Sequence, residues 1–431
     1  MRISSVQDDF LQPNVTKKDR KEMEVEEKYM KRCLELAKSG RSTVAPNPMV
    51  GAVIVRKGQI IGEGFHRLYG GAHAEVNAIQ AVRDKAMLRD STLYVNLEPC
   101  AHTGKTPPCV NQLIAKRIPR VVVGCIDPNP KVSGRGIQLL REAGVEVVHG
   151  VMEQEAIELN RFFMTAHTKQ RPYVILKWAQ SRDGYIDGIR SEDVTSQELA
   201  PTIVPTFPGA TMNTNMSVKL SAENPMAHSA DVPMNRNVRG PVLLSNAATL
   251  RHLHKLRTEV AAIMVGTQTA LMDNPLLTVR HWIGKSPVRV CIDRTRRIPL
   301  SHHLFDRSIP TIIFTAQQSS RADDANHENI EFIAIDFSQA VIPQVLQALY
   351  ERKLYSLLVE GGARLHESFM NAKLWDELQI ETAPKELRGG VKSPSCNLSE
   401  IAVFQRYIDF SAGDFSGEPQ SFISVYTCNH L

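Results

Sequence analysis

The sequence predicts two α/β domains in tandem, each a sheet covered by helices. Three observations point there. The chain has 431 residues, too many for one core of ordinary size. Short β-rich runs alternate with segments of helical period in both halves. One long stretch, residues 190–240, has neither pattern. A hydrophobic fraction of 42% with 23% charged residues is the profile of a globular protein in water.

Residues 1–24 are polar and without period, and read as a flexible extension. Over 26–38, Tyr29, Met30, Cys33, Leu36 and Ala37 share one face at helical spacing, and Gly40 ends that helix. Residues 50–55 read as a strand, Lys57-Gly58 as a turn, and 59–65 as a second strand. Val76, Ile79 and Val82 make 74–82 a helix. A strand over 93–97, a helix over 110–115, a buried strand over 120–124, a helix over 136–143 and a strand over 145–148 complete the alternation. A linking helix over 153–167 ends near Arg171-Pro172. The strand over 173–178 opens the second domain. The expected division is therefore 25–168 and 169–431.

Residues 190–240 are rich in Pro, Ser, Thr, Asn and Met and read as a flexible insertion. Regular structure is expected again as a strand at 242–244 and a helix at 247–256. Short buried strands follow at 261–265, 288–292, 311–314 and 356–359.

A net charge of +5 on so long a chain is mild. It gives no reason to expect nucleic acid as a partner, and it suits an anionic small substrate equally well. No apolar run approaches the ~20 residues of a membrane helix, and the first twenty residues hold no apolar stretch of the secretory type. The expected location is the cytoplasm, with no membrane partner. Seven cysteines, odd and scattered, do not form a disulfide framework.

Two of those cysteines belong to a constellation with chemistry. His73-Ala74-Glu75 is followed by Pro99-Cys100 and by Cys109. One imidazole and two thiolates are ligands that zinc prefers, and no fourth protein ligand is evident, which leaves a position for water. Zinc lowers the pKa of such a water to about 7. Glu75, two residues beyond His73, can stand beside the metal without binding it and carry a proton from the water to a leaving amine. A closed structural zinc site or unrelated core cysteines would explain a lone Cys pair. The joint match of His, Glu, Pro-Cys and Cys outweighs both, and it resembles the zinc-deaminase signature.

Eight residues separate Cys100 from Cys109, where nucleoside and nucleic-acid deaminases usually have two. The run from Glu98 to Cys109 resembles the deaminase domain of the bifunctional deaminase-reductase family of riboflavin biosynthesis. So do 46–51 (PNPMVG), 62–66 (GEGFH) and 127–136 (DPNPKVSGRG). The resemblance implies a cytidine-deaminase-like three-layer α/β/α domain. It implies hydrolytic deamination, by zinc hydroxide, of a phosphorylated pyrimidine ribotide. It places Asn47 on the pyrimidine, and His102 and Lys105 at the sugar-phosphate end.

The second half resembles the family's reductase domain, whose α/β fold is like that of dihydrofolate reductase. The matching segments are 177–184 (KWAQSRDG), 265–269 (VGTQT), 273–280 (DNPLLTVR), 359–362 (VEGG), 375–378 (WDEL) and 383–385 (APK). The resemblance implies NADPH as hydride donor for conversion of the ribosyl to a ribityl chain. By position, Gln180, Thr269, Asp273, Arg294, Gly362, Ala363 and Arg364 would contact NADPH. Lys177, Arg257, Leu277, Arg280 and Glu360 would hold the ribotide. The family also implies a homo-oligomer. The chain departs from its pattern at Pro241 and Leu243, where a Ser-x-Trp segment is usual, and at Arg294, where many members have Ser. The alternatives are a monofunctional deaminase with an inactive reductase-like domain, a nucleoside or nucleic-acid deaminase, and a non-catalytic zinc-stabilised binding protein.

Overall fold

The computed structural model describes residues 17–102, 107–129, 133–189, 242–316, 328–395, 402–409 and 421–428. The expected insertion at 190–240, with Pro241, lies outside them.

Helix α1 (Lys17–Lys38) begins inside the stretch read as an extension. The sequence of its first turns, KKDRKE, is all charged and offers no apolar stripe to pattern reading. Strands β1 (Gly51–Arg56) and β2 (Gln59–Phe65) form a hairpin around Lys57-Gly58. Both turn residues have positive φ, 49° and 78°, which matches the twist of the strands. Then come α2 (Ala74–Ala81), β3 (Thr92–Leu97), α3 (Cys109–Ala115), β4 (Arg120–Cys125), α4 (Arg135–Glu142) and β5 (Glu146–His149). The sheet order is β2-β1-β3-β4-β5, with β1 antiparallel to both neighbours and the last three strands parallel. Ala52, Ile54, Val95 and Val123 pack with the side chains of α2, α3 and α4. Val53, Val55, Tyr94 and Val122 pack on the opposite face with α1. Coverage of both faces explains the unbroken apolar runs AVIV in β1 and VVV in β4.

The linking helix is two helices, α5 (Glu153–Leu159) and α6 (Arg161–Lys169). Asn160 breaks it at φ −106° and ψ 21°. Its side chain accepts from the Met49 N–H at 2.7 Å and donates to the Met49 carbonyl at 3.0 Å. A tertiary bond to a residue 111 positions away overrides the helical period.

The second half continues with β6 (Tyr173–Gln180), β7 (Tyr185–Asp187), α7 (Ala247–Glu259), β8 (Ala262–Val265), α8 (Thr267–Asp273), β9 (Val288–Ile292), β10 (Thr311–Thr315) and β11 (Ile330–Ala334). It ends with α9 (Val341–Glu351), β12 (Ser356–Gly361), α10 (Ala363–Asn371), β13 (Glu377–Thr382), β14 (Val391–Lys392), β15 (Ala402–Asp409) and β16 (Phe422–Cys428). Nine strands form one sheet in the order β11-β10-β9-β8-β12-β6-β13-β16-β15, parallel as far as β13 and antiparallel beyond. Val174, Leu176 and Trp178 face one core, while Tyr173 and Ile175 face the other. The strand expected at 242–244 is absent. The Val242 N–H goes to Asp187 Oδ1 at 3.2 Å, and Leu243 is exposed. Those residues lead irregularly to Asn246, which caps α7 by accepting from the N–H groups of Ala248 and Thr249.

The joint between the halves is short. Arg171 donates to Asp376 through two nitrogens at 2.5 and 2.8 Å, and the Val174 N–H donates to the same carboxylate at 2.9 Å. Lys169 adds a contact at 3.4 Å. No described helix is long and apolar enough to cross a membrane.

Candidate active sites

The first site is built by close backbone approach. A Cβ on Gly64 would stand 2.3 Å from the Ala78 nitrogen, so only glycine there lets α2 lie on β2. That seats His73 at the N-cap of α2 and Glu75 in its first turn, 4% exposed. Across the cleft, Glu98 accepts from the N–H groups of Gly134, Gly136 and Ile137 at 2.9, 2.8 and 3.3 Å, and from Asp127 at 3.2 Å. This clamp holds the loop before α4 against Pro99-Cys100.

His73 Nδ1 lies 3.5 Å from Cys100 Sγ and 3.2 Å from Cys109 Sγ. The ligand atoms of the three residues all fall within 4.8 Å of one another. Zinc bonds of about 2.0–2.3 Å in a tetrahedron put neighbouring ligand atoms about 3.5 Å apart, so the set fits zinc. The hydrogen bond from Cys109, the bond to His73 and the Cys109 N–H at 3.3 Å hold the Cys100 thiol down at about 4, against its burial. It is poised as thiolate. Burial pushes the Glu75 carboxyl up, against the pull of His73, which suits a group that takes and returns a proton. Replacing Cys109 with Ser is expected to drop bound zinc from one per chain toward none and to abolish ammonia release. Atomic absorption on the purified protein checks this.

The cleft is a cavity of about 460 Å³, within the usual range for small ligands. Asn47 and His102 line it as expected; Lys105 lies outside the described residues. Two further lining residues come from the quoted motifs but were not singled out by sequence reasoning. His66 accepts from the Asn47 amide at 3.1 Å while its Nδ1 faces the Ala72 carbonyl at 3.0 Å, and burial lowers its pKa, so it is neutral. Asp127 is pushed up to about 6 by burial.

The second site lies at the carboxyl edge of the parallel strands, where ligands bind in open α/β sheets. The Gly266 N–H donates to the Gly361 carbonyl at 2.8 Å, joining the ends of β8 and β12. A Cβ on Gly362 would meet Thr269 Oγ1 at 3.1 Å. Ala363 and Arg364 open α10, whose first N–H groups have no partners within the helix. The cradle fits a phosphate of a dinucleotide. Gln180 and Arg294 stand at or just beyond the ends of β6 and β9 on the same edge, and Asp273 ends α8. Gln180 accepts from the Trp178 ring N–H at 3.0 Å, and the Arg294 guanidinium sits 5.4 Å over the Phe337 ring.

Four of the expected ribotide residues converge. Arg257 donates to both oxygens of Glu360, at 2.8 and 2.6 Å, and to the Thr278 carbonyl at 2.8 Å. Arg280 donates to Thr278 Oγ1 at 3.2 Å, and its backbone N–H donates to His254 at 2.9 Å. Leu277, buried at φ 53°, turns this segment onto α7. Burial pushes the Glu360 carboxyl up, but Arg257, with Lys177 and His254, more than offsets it and holds it below its ordinary value. Lys177 is not free: Glu381 binds it at 3.0 Å and also accepts from the Ser245 hydroxyl at 2.7 Å. Neither Glu381 nor Ser245 carries a signal in the sequence.

Comparison with known proteins finds a family match for each half of the chain. Residues 23–125 match the cytidine and deoxycytidylate deaminase zinc-binding region, and residues 172–402 match the RibD C-terminal domain. The riboflavin biosynthesis protein RibD of Aquifex aeolicus is 36% identical over 88% of this chain and 92% of its own length. The Escherichia coli (strain K12) RibD is 34% identical over 84% and 88%. A diaminohydroxyphosphoribosylaminopyrimidine deaminase/5-amino-6-(5-phosphoribosylamino)uracil reductase from Thermotoga maritima superposes with a TM-score of 0.73 at 31% identity, covering 94% of this chain and 99% of that one.

Proposed function

This chain belongs to the RibD family and is a bifunctional deaminase and reductase of riboflavin biosynthesis using zinc and NADPH; on that premise we propose how its residues divide the two reactions. The observation that carries the reading is the His73, Cys100 and Cys109 set with Glu75 buried beside it. We assign the deaminase to residues 25–168 and the reductase to 169–431, with 190–240 an insertion in the latter.

His73, Cys100 and Cys109 would hold zinc, which when bound would supply the Lewis acidity that makes water a nucleophile at neutral pH. Glu75 takes the proton and returns it to the departing amine as ammonia leaves the pyrimidine. Asn47, oriented by neutral His66, presents hydrogen-bonding groups to the ring. His102 and Lys105 serve the ribosyl phosphate. In the second half, bound NADPH would supply the hydride chemistry for reducing the ribosyl to the ribityl chain. Gly362, Ala363, Arg364, Thr269, Asp273, Gln180 and Arg294 form the dinucleotide cradle and its rim. Arg257, Arg280, Glu360, Lys177 and Leu277 hold the ribotide.

The cytoplasm is the compartment that suits the chain, because the described cysteines are unpaired thiols. A homo-oligomer is supported by β15, the edge of the large sheet, where Val403, Phe404 and Tyr407 are 51%, 44% and 63% exposed. The test of the function is oxidation of NADPH by the purified protein given the already deaminated ribotide. Turnover, with ammonia release from the diamino ribotide, is the expected result. Ammonia release without NADPH oxidation would make the chain a monofunctional deaminase.

A further inference from the structure

The deaminase cavity has a wall supplied by the other half of the chain. Lys353 and Tyr355, between α9 and β12, line it together with Asn47, His66 and Glu75. Their position is fixed from both sides. The Lys353 N–H donates to the Tyr350 carbonyl at 2.8 Å and the Leu354 N–H to the Leu349 carbonyl at 3.0 Å, a helix stop with Lys353 at φ 59°. The Tyr355 carbonyl accepts from the Tyr173 N–H at 3.0 Å. The Tyr355 ring stacks on Tyr350 at 5.8 Å and meets the edge of His167, from α6, at 5.7 Å.

The charge around the cavity is unbalanced for its cargo. Glu75, Glu98 and Asp127 line it, together with His66, His102 and His167. Among the described lining residues, Lys353 is the one Lys or Arg. It is exposed, and its ammonium has no hydrogen-bond or ion-pair partner among the described residues. The ligand of a cavity that deaminates a pyrimidine ribotide carries a phosphate dianion. A lysine ammonium is a point-charge partner for that group.

We propose that Lys353 binds the phosphate of the deaminase substrate, so that the reductase half contributes a substrate-binding residue to the deaminase site. This rests on the deaminase assignment above. It adds a contact from the reductase half to the phosphate contacts assigned to His102 and Lys105, so that part of the selection for the phosphorylated ribotide depends on the assembled two-domain chain.

The experiment compares the full-length protein with its K353Q and K353R variants. Ammonia release is measured on the phosphorylated ribotide and on its dephosphorylated riboside. K353Q is expected to raise KM for the ribotide about ten-fold with kcat changed by less than about two-fold. Its kcat/KM on the riboside, and its NADPH oxidation with the deaminated ribotide, are expected to match wild type. K353R is expected to recover most of the ribotide KM. An unchanged ribotide KM in K353Q overturns the proposal, as does an equal loss on the riboside, which would mark Lys353 as structural. Wild-type protein that releases no ammonia from either compound overturns the deaminase assignment and the proposal with it.

Discussion

Replacing Glu75 with Gln is expected to lower ammonia release about 10³-fold, with one zinc per chain retained and NADPH oxidation on the deaminated ribotide intact. The substitution keeps the shape of the side chain and removes its capacity to hold a proton. Positioned acid-base groups contribute about 10²–10⁴-fold, and Glu75 is assigned both the proton taken from water and the proton given to the amine. Its burial in the first turn of α2 makes the second part of the expectation. Burial pushes the carboxyl up, so a neutral amide costs no more to keep there than the acid does. The variant should therefore melt no lower than wild type. A coupled assay for ammonia and atomic absorption for zinc decide the matter. Retention of activity within about ten-fold of wild type would remove Glu75 from the mechanism.

The second large effect is expected at the Arg257–Glu360 pair. Arg257→Met leaves a buried carboxylate without its guanidinium, at side-chain exposures of 9% and 11% for the two partners. Breaking such a pair costs about 3–5 kcal/mol. NADPH-dependent reduction should fall at least about 100-fold in kcat/KM, because the pair also anchors the segment carrying Leu277 and Arg280. The pH dependence has a definite sign. Glu360 is held below its ordinary value of 4.5 in the folded protein, so its contribution is complete above about that pH and is lost as pH falls through the folded value. The difference in urea midpoint between wild type and R257M should be largest at neutral pH and shrink toward pH 4. A gap that stays constant or widens in acid would mean that the pair does not set the stability of this half.

The metal set and its proton carrier could be read from the sequence because they are local. His73 and Glu75 share one helical turn, and Cys100 and Cys109 flank one loop, so spacing alone carries the chemistry. The strands of the first sheet, and β6, β8, β9, β10 and β12 of the second, were legible from their short β-rich runs, whereas β11, β13, β15 and β16, with charged or polar residues interspersed, do not read as strands. What escaped depends on register. Lys177 stands opposite Gln379 in the parallel pairing of β6 with β13, which brings Glu381, two residues on, within reach of the same side chain. Nothing at position 381 alone announces that partner. The break at Asn160 is hidden because its cause, Met49, is distant in the chain. Lys353 and Tyr355 belong by sequence to the reductase and by space to the deaminase cavity.

The bracing of the short joint at Asp376 bears on how the intermediate travels. One carboxylate takes two bonds from Arg171 and one from the Val174 backbone, on either side of Pro172, whose own ring fixes a dihedral. A joint held in that way resists rotation of one domain against the other, so no swing of either domain is expected to carry the product across. A handover of the deaminated ribotide between the halves is therefore expected to go through water, and unlabelled intermediate added to the solution should dilute a labelled one.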